Sequence, residues 1–289
     1  MAYIEKNILK SIYKERSKQS RKYDFGYVIV IGGSQLYSGS PALASLAAMR
    51  AGADLSLVVA PERSANIIAS FSPNLISFPL AGHDINISHI DKLLFLAKSA
   101  KKVSNGKVAV VVGGGLGRDE GTQEVVRKFL EEIDIPAVID ADAILAISKS
   151  KNIAMDKNFV FTPHCNEYFV LTGENISLSS KKEKEKKVKA FANKIGSTLL
   201  LKGDEDIISD GKKIFINKTG CPEMTVGGTG DVVAGICGCF LAQGFSPSLS
   251  ARAAAYISGR AGELALKNFG AGLLATDMID CIPNATKGL

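Results

Sequence analysis

The feature that most restricts this chain is a repeated pairing of a short β-branched or aliphatic run with a helix-length segment. Tyr27–Ile31 (YVIVI) is the clearest run, apolar at every position and ending at Gly32-Gly33. A strand with two apolar faces has to be covered on both, which is the condition of a parallel sheet between layers of helices. Leu55–Val59, Leu75–Phe78, Val108–Val112, Ala137–Ile139 and Phe159–Phe161 read as further strands. Between them, Pro41–Ala51, Pro61–Ser70, Ile87–Val103, Gly121–Ile133 and Ala143–Ser148 read as helices. Thr198–Leu201, Asp206–Ser209 and Lys213–Ile216 follow at close spacing, with Gly-Asp and Asp-Gly-Lys turns, so the sheet is expected to finish in antiparallel strands. The last quarter reads as helices over Asp231–Gln243, Ser248–Leu266 and Thr276–Cys281. At the other end, Ile4, Ile8 and Ile12 predict an amphipathic helix within residues 1–18, and a polar link leads to Gly26. No repeat or low-complexity linker interrupts the pattern. A single domain over residues 1–289 is expected, with 1–26 as its N-terminal helix and linker.

Composition narrows the function classes. The net charge of +6 suits nucleic acid or polyphosphate ligands. There is no Trp and no aromatic interleaving, so a single-strand stacking platform lacks its residues. The basic run Lys181–Lys187 (KKEKEKK) carries glutamates and reads as a solvated helix face. The 5 cysteines form no C-x-x-C pair, and Cys237 and Cys239 face different sides of a helix, which suits reduced thiols in a cytoplasmic protein. No apolar leader is visible, and Val232–Ala242 is short of a membrane span. Neither a nucleic acid nor a membrane is expected as a partner.

The strongest chemical signal is Val226–Asp231 (VGGTGD) opening a helix. Glycines let the backbone N–H groups of Gly228, Thr229 and Gly230 converge where a helix leaves its donors unpaired, which makes a pocket for an anion. Asp231 beside that pocket is placed to take a proton from an attacking hydroxyl. The alternative is an ordinary cap, with Thr229 or Asp231 accepting a helix N–H. Ile31–Ser40 (IGGSQLYSGS) and Gly113–Gly117 (GGGLG) both follow strands, where open α/β sheets bind ligands, and neither matches a Rossmann or P-loop pattern. In Phe161–Glu167 (FTPHCNE), a helix starting at Pro163 with Thr162 as cap would put His164 and Glu167 on one face. His164 there is either functional or a capping or surface residue, and no second histidine stands at zinc spacing. Asp140 and Asp142 (VIDADAI) end a strand and could hold Mg²⁺ through water, or Asp142 could be an N-cap. Lys202-Gly203 (LLKGDED) ends another strand and could meet phosphate.

Taken together, these segments resemble the ribokinase-like superfamily, and within it the ADP- or ATP-dependent NAD(P)H-hydrate dehydratases, from about Tyr27 to Cys281. IGGSQLYSGSPALA, GGGLG, VIDADAI, TPHCNE, LLKG and NKTGCPEMTVGGTGDVVAG keep the family's order. Kinases of the superfamily usually carry T-P-N-x-x-E, so Thr162, Pro163, His164 and Glu167 point to the dehydratases. Cys165-Asn166 stand where the family commonly has Pro-Gly, and Asp206 stands where threonine is common.

The resemblance implies a three-layer α/β/α sandwich with a mostly parallel central sheet and antiparallel edge strands. It implies dehydration of C6-hydrated NADH or NADPH (NADHX, NADPHX) at the expense of ADP or ATP, which would leave AMP or ADP and phosphate. Asp231 would be the base, expected to stay ionised at a helix N-terminus, and Gly228, Thr229 and Gly230 the anion hole. Ser40, Gly117, His164 and Asp231 would contact the hydrate. Lys202, Gly203, Asp204, Glu205, Asp206 and Gly230 would contact the nucleotide, and Mg²⁺ is expected, with Glu167 orienting it through water. A homotetramer and a separate NAD(P)H-hydrate epimerase are further expectations from the resemblance. The rivals are a ribokinase-like kinase for a vitamin precursor, which would leave phosphate on its product, and a nucleotide-binding regulator without turnover.

Overall fold

The branched runs become strands in the computed structural model, which describes residues 1–287. The chain opens with β1 (Ala2–Tyr3), α1 (Ile8–Ile12), β2 (Tyr27–Ile31), α2 (Gly39–Arg50), β3 (Leu55–Pro61), α3 (Glu62–Phe71) and β4 (Ile76–Leu80). It continues with α4 (Ile90–Val103), β5 (Val108–Val112), α5 (Glu120–Glu132), β6 (Ala137–Ile139), α6 (Ala141–Ser148), β7 (Phe159–Phe161), α7 (Cys165–Thr172) and α8 (Lys181–Ile195). Then come β8 (Thr198–Leu201), β9 (Asp206–Ser209), β10 (Ile214–Asn217), α9 (Thr229–Ala242), α10 (Pro247–Phe269) and α11 (Ala275–Ala285).

Among the described residues all strands join one 10-stranded sheet in the order β1-β10-β9-β8-β7-β6-β5-β2-β3-β4. Only β9 runs against its neighbours, pairing antiparallel with β8 and β10. The antiparallel strands are therefore where the turns placed them, but the edge beyond them is β1. Ala2 and Tyr3 lie opposite Phe215 and Ile216, and Ile4 N–H donates to the Ile216 carbonyl at 2.9 Å. This pairing corrects the expected opening helix. Ile4 is spent on the edge strand, and only Ile8–Ile12 coils.

Alternate residues of a strand face opposite ways, and here the two sets enter different cores. Val28, Val30, Val58, Ala109 and Val111 pack with residues of α2, α9, α10 and α11. Ile29, Ile31, Val59, Val110 and Val112 pack with residues of α4, α5 and α6. The result is the three-layer sandwich expected from runs apolar on both faces. Strand order reverses between β2 and β5, and the crevice at their carboxyl ends is where such sheets take ligands.

α9 lies close to its neighbours because two of its three glycines, Gly235 and Gly238, face them without a side chain. A Cβ on Gly235 would stand 2.0 Å from the Ala44 carbonyl oxygen, and one on Gly238 would stand 2.4 Å from Val111 Cγ2. That contact with α2 and the central strands fixes where the N-terminus of α9 emerges. Among the described residues no helix is long and apolar enough to cross a membrane. All five cysteines are free.

Candidate active site

The two glycine loops meet at the reversal point. Gly33 N–H donates to the Gly114 carbonyl at 2.9 Å. Gly113, at φ +138°, is pressed against the next strand end, where a Cβ would fall 1.7 Å from the Asp140 carbonyl oxygen. A Cβ on Gly114 would lie 2.8 Å from Asp231 Oδ1 and 2.9 Å from Ser40 Cβ. Ser40, in the first turn of α2, thus stands beside the Asp231 carboxylate and works to lower its pKa. Ser40, Gly114 and Asp231 therefore lie side by side, while Gly117 stands clear of them.

The capping alternative for GGTGD does not hold. Gly228, at φ +95°, occupies the N-cap position without a side-chain bond. Thr229 Oγ1 turns back and donates to the carbonyls of Met224 (2.8 Å) and Val226 (3.2 Å). The helix's own bonds begin with Val232 N–H to the Gly228 carbonyl at 3.2 Å. Among the described residues nothing accepts from the N–H groups of Thr229, Gly230 or Asp231, so an anion can.

Lys202 lies beneath this opening, its Nζ 3.2 Å from where a Gly230 Cβ would be. The ammonium donates to Asp140 Oδ1 at 2.9 Å and lies 3.8 Å from Glu167 Oε2. Asp140 is 3% exposed, and its Oδ1 also accepts from Thr162 Oγ1 at 2.7 Å. Burial pulls the Lys202 pKa down, but Asp140, Glu167 and Asp231 outweigh it and hold the ammonium above its usual range. Three carboxylates share this single cation, and Asp231 bears the excess. Burial first and Asp140 second push its pKa up to about 7, against the lowering effect of Ser40 and Lys202. Asp231 was expected to stay ionised at a helix N-terminus. Desolvation and a like charge exceed the dipole, and the group titrates around neutrality.

The TPHCNE segment folds two residues later than expected. α7 begins at Cys165, and its cap is His164 rather than Thr162, which is turned to Asp140. His164 Nδ1 accepts from Asn166 N–H and Glu167 N–H, both at 3.1 Å. Glu167 Oε2 returns the bond from His164 N–H at 2.8 Å. The capping reading of His164 is thus correct, while its Nε2 edge remains on the side of Glu167 Oε1 at 3.4 Å. Asp142 is not a cap either. The N-cap of α6 is Asp140, and Asp142 Oδ2 instead accepts Gly117 N–H at 2.9 Å, pinning the second glycine loop.

The LLKGDED loop divides the expected nucleotide contacts into free and committed groups. Lys202 N–H donates to the Pro163 carbonyl at 2.8 Å, tying the ends of β7 and β8 together. Asp206 accepts from Gly203 N–H (3.2 Å) and Asn217 Nδ2 (3.0 Å), and burial pushes its pKa up to about 6. Glu205 is bridged by Lys181 and Lys218. The Asp206 and Glu205 side chains therefore hold the loop, which leaves Gly203 and Asp204 exposed to a ligand. A cleft of about 250 Å³ opens there, lined by Cys165, Lys181, Lys202, Gly203, Asp204 and Glu205 among others. Among the described residues no three His, Cys, Asp or Glu side chains converge as a metal cage. The Lys202–Asp140 pair escaped the sequence reading because neither residue's neighbours in sequence show that β6 and β8 ends converge.

Comparison with known proteins follows the same lines. The sequence family described as NAD(P)H-hydrate dehydratase matches residues 28–284. The chain is 40% identical over 274 residues to a bifunctional NAD(P)H-hydrate repair enzyme of Pyrobaculum aerophilum, covering 94% of this chain and 52% of that protein. It thus spans about half the length of the bifunctional relatives. It is 35% identical over 285 residues to an ADP-dependent (S)-NAD(P)H-hydrate dehydratase of Cenarchaeum symbiosum, covering 98% of this chain and 96% of that one. The fold superposes on a ribokinase-like superfamily protein of Enterococcus faecalis with a TM-score of 0.81 and 27% identity, over 99% of this chain and 95% of that chain.

Proposed function

The chain belongs to the NAD(P)H-hydrate dehydratase family, and from that premise we propose that it dehydrates (S)-NADHX and (S)-NADPHX with ADP as phosphoryl donor. The observation that carries the reading is the meeting of Asp231 and Ser40, both packed on Gly114, with the unpaired N–H groups at the start of α9. A base and an anion hole one residue apart suit transfer of a phosphoryl group to a hydroxyl.

Asp231 takes the proton of the C6 hydroxyl as that oxygen attacks the terminal phosphorus of ADP, and the bond to AMP breaks. The N–H groups of Thr229 and Gly230, with Lys202 below them, face the charge that builds on the equatorial oxygens. The ring nitrogen's electron pair then expels phosphate from C6, and loss of the C5 proton restores the dihydronicotinamide. A base with pKa near 7 is matched to this task at neutral pH. Gly203 and Asp204 line the path of the nucleotide, and Gly117 and His164 that of the hydrate. Mg²⁺ carried by the nucleotide would screen its phosphates. Asp140 and Glu167 already face Lys202, so they fit a water-mediated hold on such an ion rather than a protein cage. ADP as donor is supported by the name of the Cenarchaeum symbiosum relative, which matches over nearly its full length.

The test is absorbance at 340 nm when the protein meets prepared NADHX and Mg²⁺ with ADP, ATP or no nucleotide. A nucleotide-dependent rise with stoichiometric free phosphate, lost in Asp231→Asn, is the expected result. Phosphate retained on an organic product would instead make it a kinase.

A further inference from the structure

The hydrate bears a pyrophosphate and, in NADPHX, a 2′-phosphate, far from the ring that reacts. On the nucleotide side of the crevice the cations include Lys202, Lys181, Lys184 and Lys218, at the β8–β10 end of the sheet. The remainder of the hydrate has to leave the other way, over the loops that follow β5 and β2.

A cation on that side is Arg118, immediately after Gly117. Its backbone is held at two points. Gly117 N–H is bonded to Asp142 Oδ2 at 2.9 Å, and the Arg118 carbonyl accepts from the buried Gln123 Nε2 at 2.8 Å. Its side chain, by contrast, is 81% exposed, with one long contact from Nε to Asp142 Oδ1 at 3.5 Å. The neighbouring carboxylates that would otherwise claim the guanidinium are occupied. Asp119 caps α5 through Gly121 N–H and Thr122 N–H, and Glu120 is paired with Arg127 and Lys149. On the same side Arg63 is engaged with the Gln35 carbonyl at 2.6 Å, where it steadies the first glycine loop. A held backbone carrying an exposed guanidinium, with one long bond to Asp142 among the described residues, leaves most of the planar fork available to meet two phosphate oxygens at once.

We propose that Arg118 grips a phosphate of the hydrate's distal arm and so sets the enzyme's affinity for its nicotinamide substrate. Asp142 is the pivot, joining the loop that touches the ring to the arginine that holds the arm. This inference rests on the dehydratase reading above.

The experiment is steady-state kinetics of wild type, Arg118→Ala and Arg118→Lys on NADHX and NADPHX at saturating ADP and Mg²⁺. Arg118→Ala is expected to raise KM by about 10- to 100-fold with kcat within about threefold, the size of a lost charge-assisted bond. Arg118→Lys should recover part of the loss. A defect confined to NADPHX assigns the 2′-phosphate, and an equal defect on both substrates assigns the pyrophosphate. An unchanged KM overturns the proposal. So does a fall in kcat shared equally by both variants, since that would mark a role in loop structure alone. A wild-type protein inactive on both hydrates would sink the dehydratase reading itself, a result distinct from either.

Discussion

Lys202 Nζ and Asp140 Oδ1, from the ends of β8 and β6, lie 2.9 Å apart directly below the opening of α9. The pair links strands separated by β7, and Thr162 from β7's end closes the gap by donating to the same Asp140 oxygen. Three adjacent strand ends are thus clamped under the unpaired N–H groups that open α9. The lysine both neutralises the buried aspartate and supplies positive charge to whatever meets those groups.

Removing Lys202 should therefore damage fold and chemistry together. Lys202→Met leaves Asp140 buried without its ion, and breaking such a pair costs about 3 kcal/mol or more. Urea unfolding of Lys202→Met and of the double variant Lys202→Met/Asp140→Asn tests this. The double variant is expected to regain most of the lost stability while staying at least about 100-fold below wild type in kcat/KM. A double variant as unstable as the single one would show that the two residues are not coupled.

The raised pKa of Asp231 makes stability depend on pH with a definite sign. In the fold the carboxyl keeps its proton up to about 7, and in the unfolded chain only up to its ordinary 3.8. Between those values the folded state binds more protons, so this group's contribution to stability falls as pH rises through the window and levels off above it. Asp231→Asn removes the dependence. At pH 8 the variant should be more stable than wild type by up to about 4 kcal/mol, and at pH 4 nearly equal to it. The kcat/KM profile of wild type should rise with unit slope to a plateau around pH 7. Equal stabilities at both pH values would show that Asp231 is not strained by its site.

Much of this was legible in the sequence, for a physical reason. Strands apolar on both faces such as Tyr27–Ile31 and Val108–Val112 leave a single solution, and both begin and end where their residues indicated. Glycines at strand ends marked the loops that approach Asp231. What escaped was set by partners distant in the chain. Ile4 follows a helical period but joins the β1–β10 edge. Thr162 has the makings of a cap, yet Asp140 claims its hydroxyl and His164 takes the capping place. Glu205 and Asp206 sit in the segment that the resemblance gives to the nucleotide but turn to Lys181, Lys218 and Asn217. Periodicity reports which face is buried, and not which polar partner a fold will bring.

The glycines divide into those that need space and those that need only a backbone angle. Gly113→Ala would drive a methyl into the Asp140 carbonyl, and Gly117→Ala would meet nothing within 4 Å. The first is expected to cost about 3 kcal/mol or more and the second about 1–2 kcal/mol from its positive φ of +86°. Urea unfolding gives the order, and equal losses would mean the β5 loop shifts freely away from β6.

His164 can be made to report its two roles separately. Its Nδ1 accepts from two N–H groups at the start of α7, a task asparagine also performs well. His164→Asn should thus stay within about 0.5 kcal/mol of wild type, while His164→Ala loses about 1 kcal/mol. If the imidazole also meets the hydrated ring, both variants should raise KM for NADHX by a similar factor, because neither restores the Nε2 edge. Activity that tracks stability, with asparagine fully active and alanine impaired, would reduce His164 to a cap. It would also remove the one residue by which the TPHCNE segment differs from the T-P-N-x-x-E pattern of the kinases.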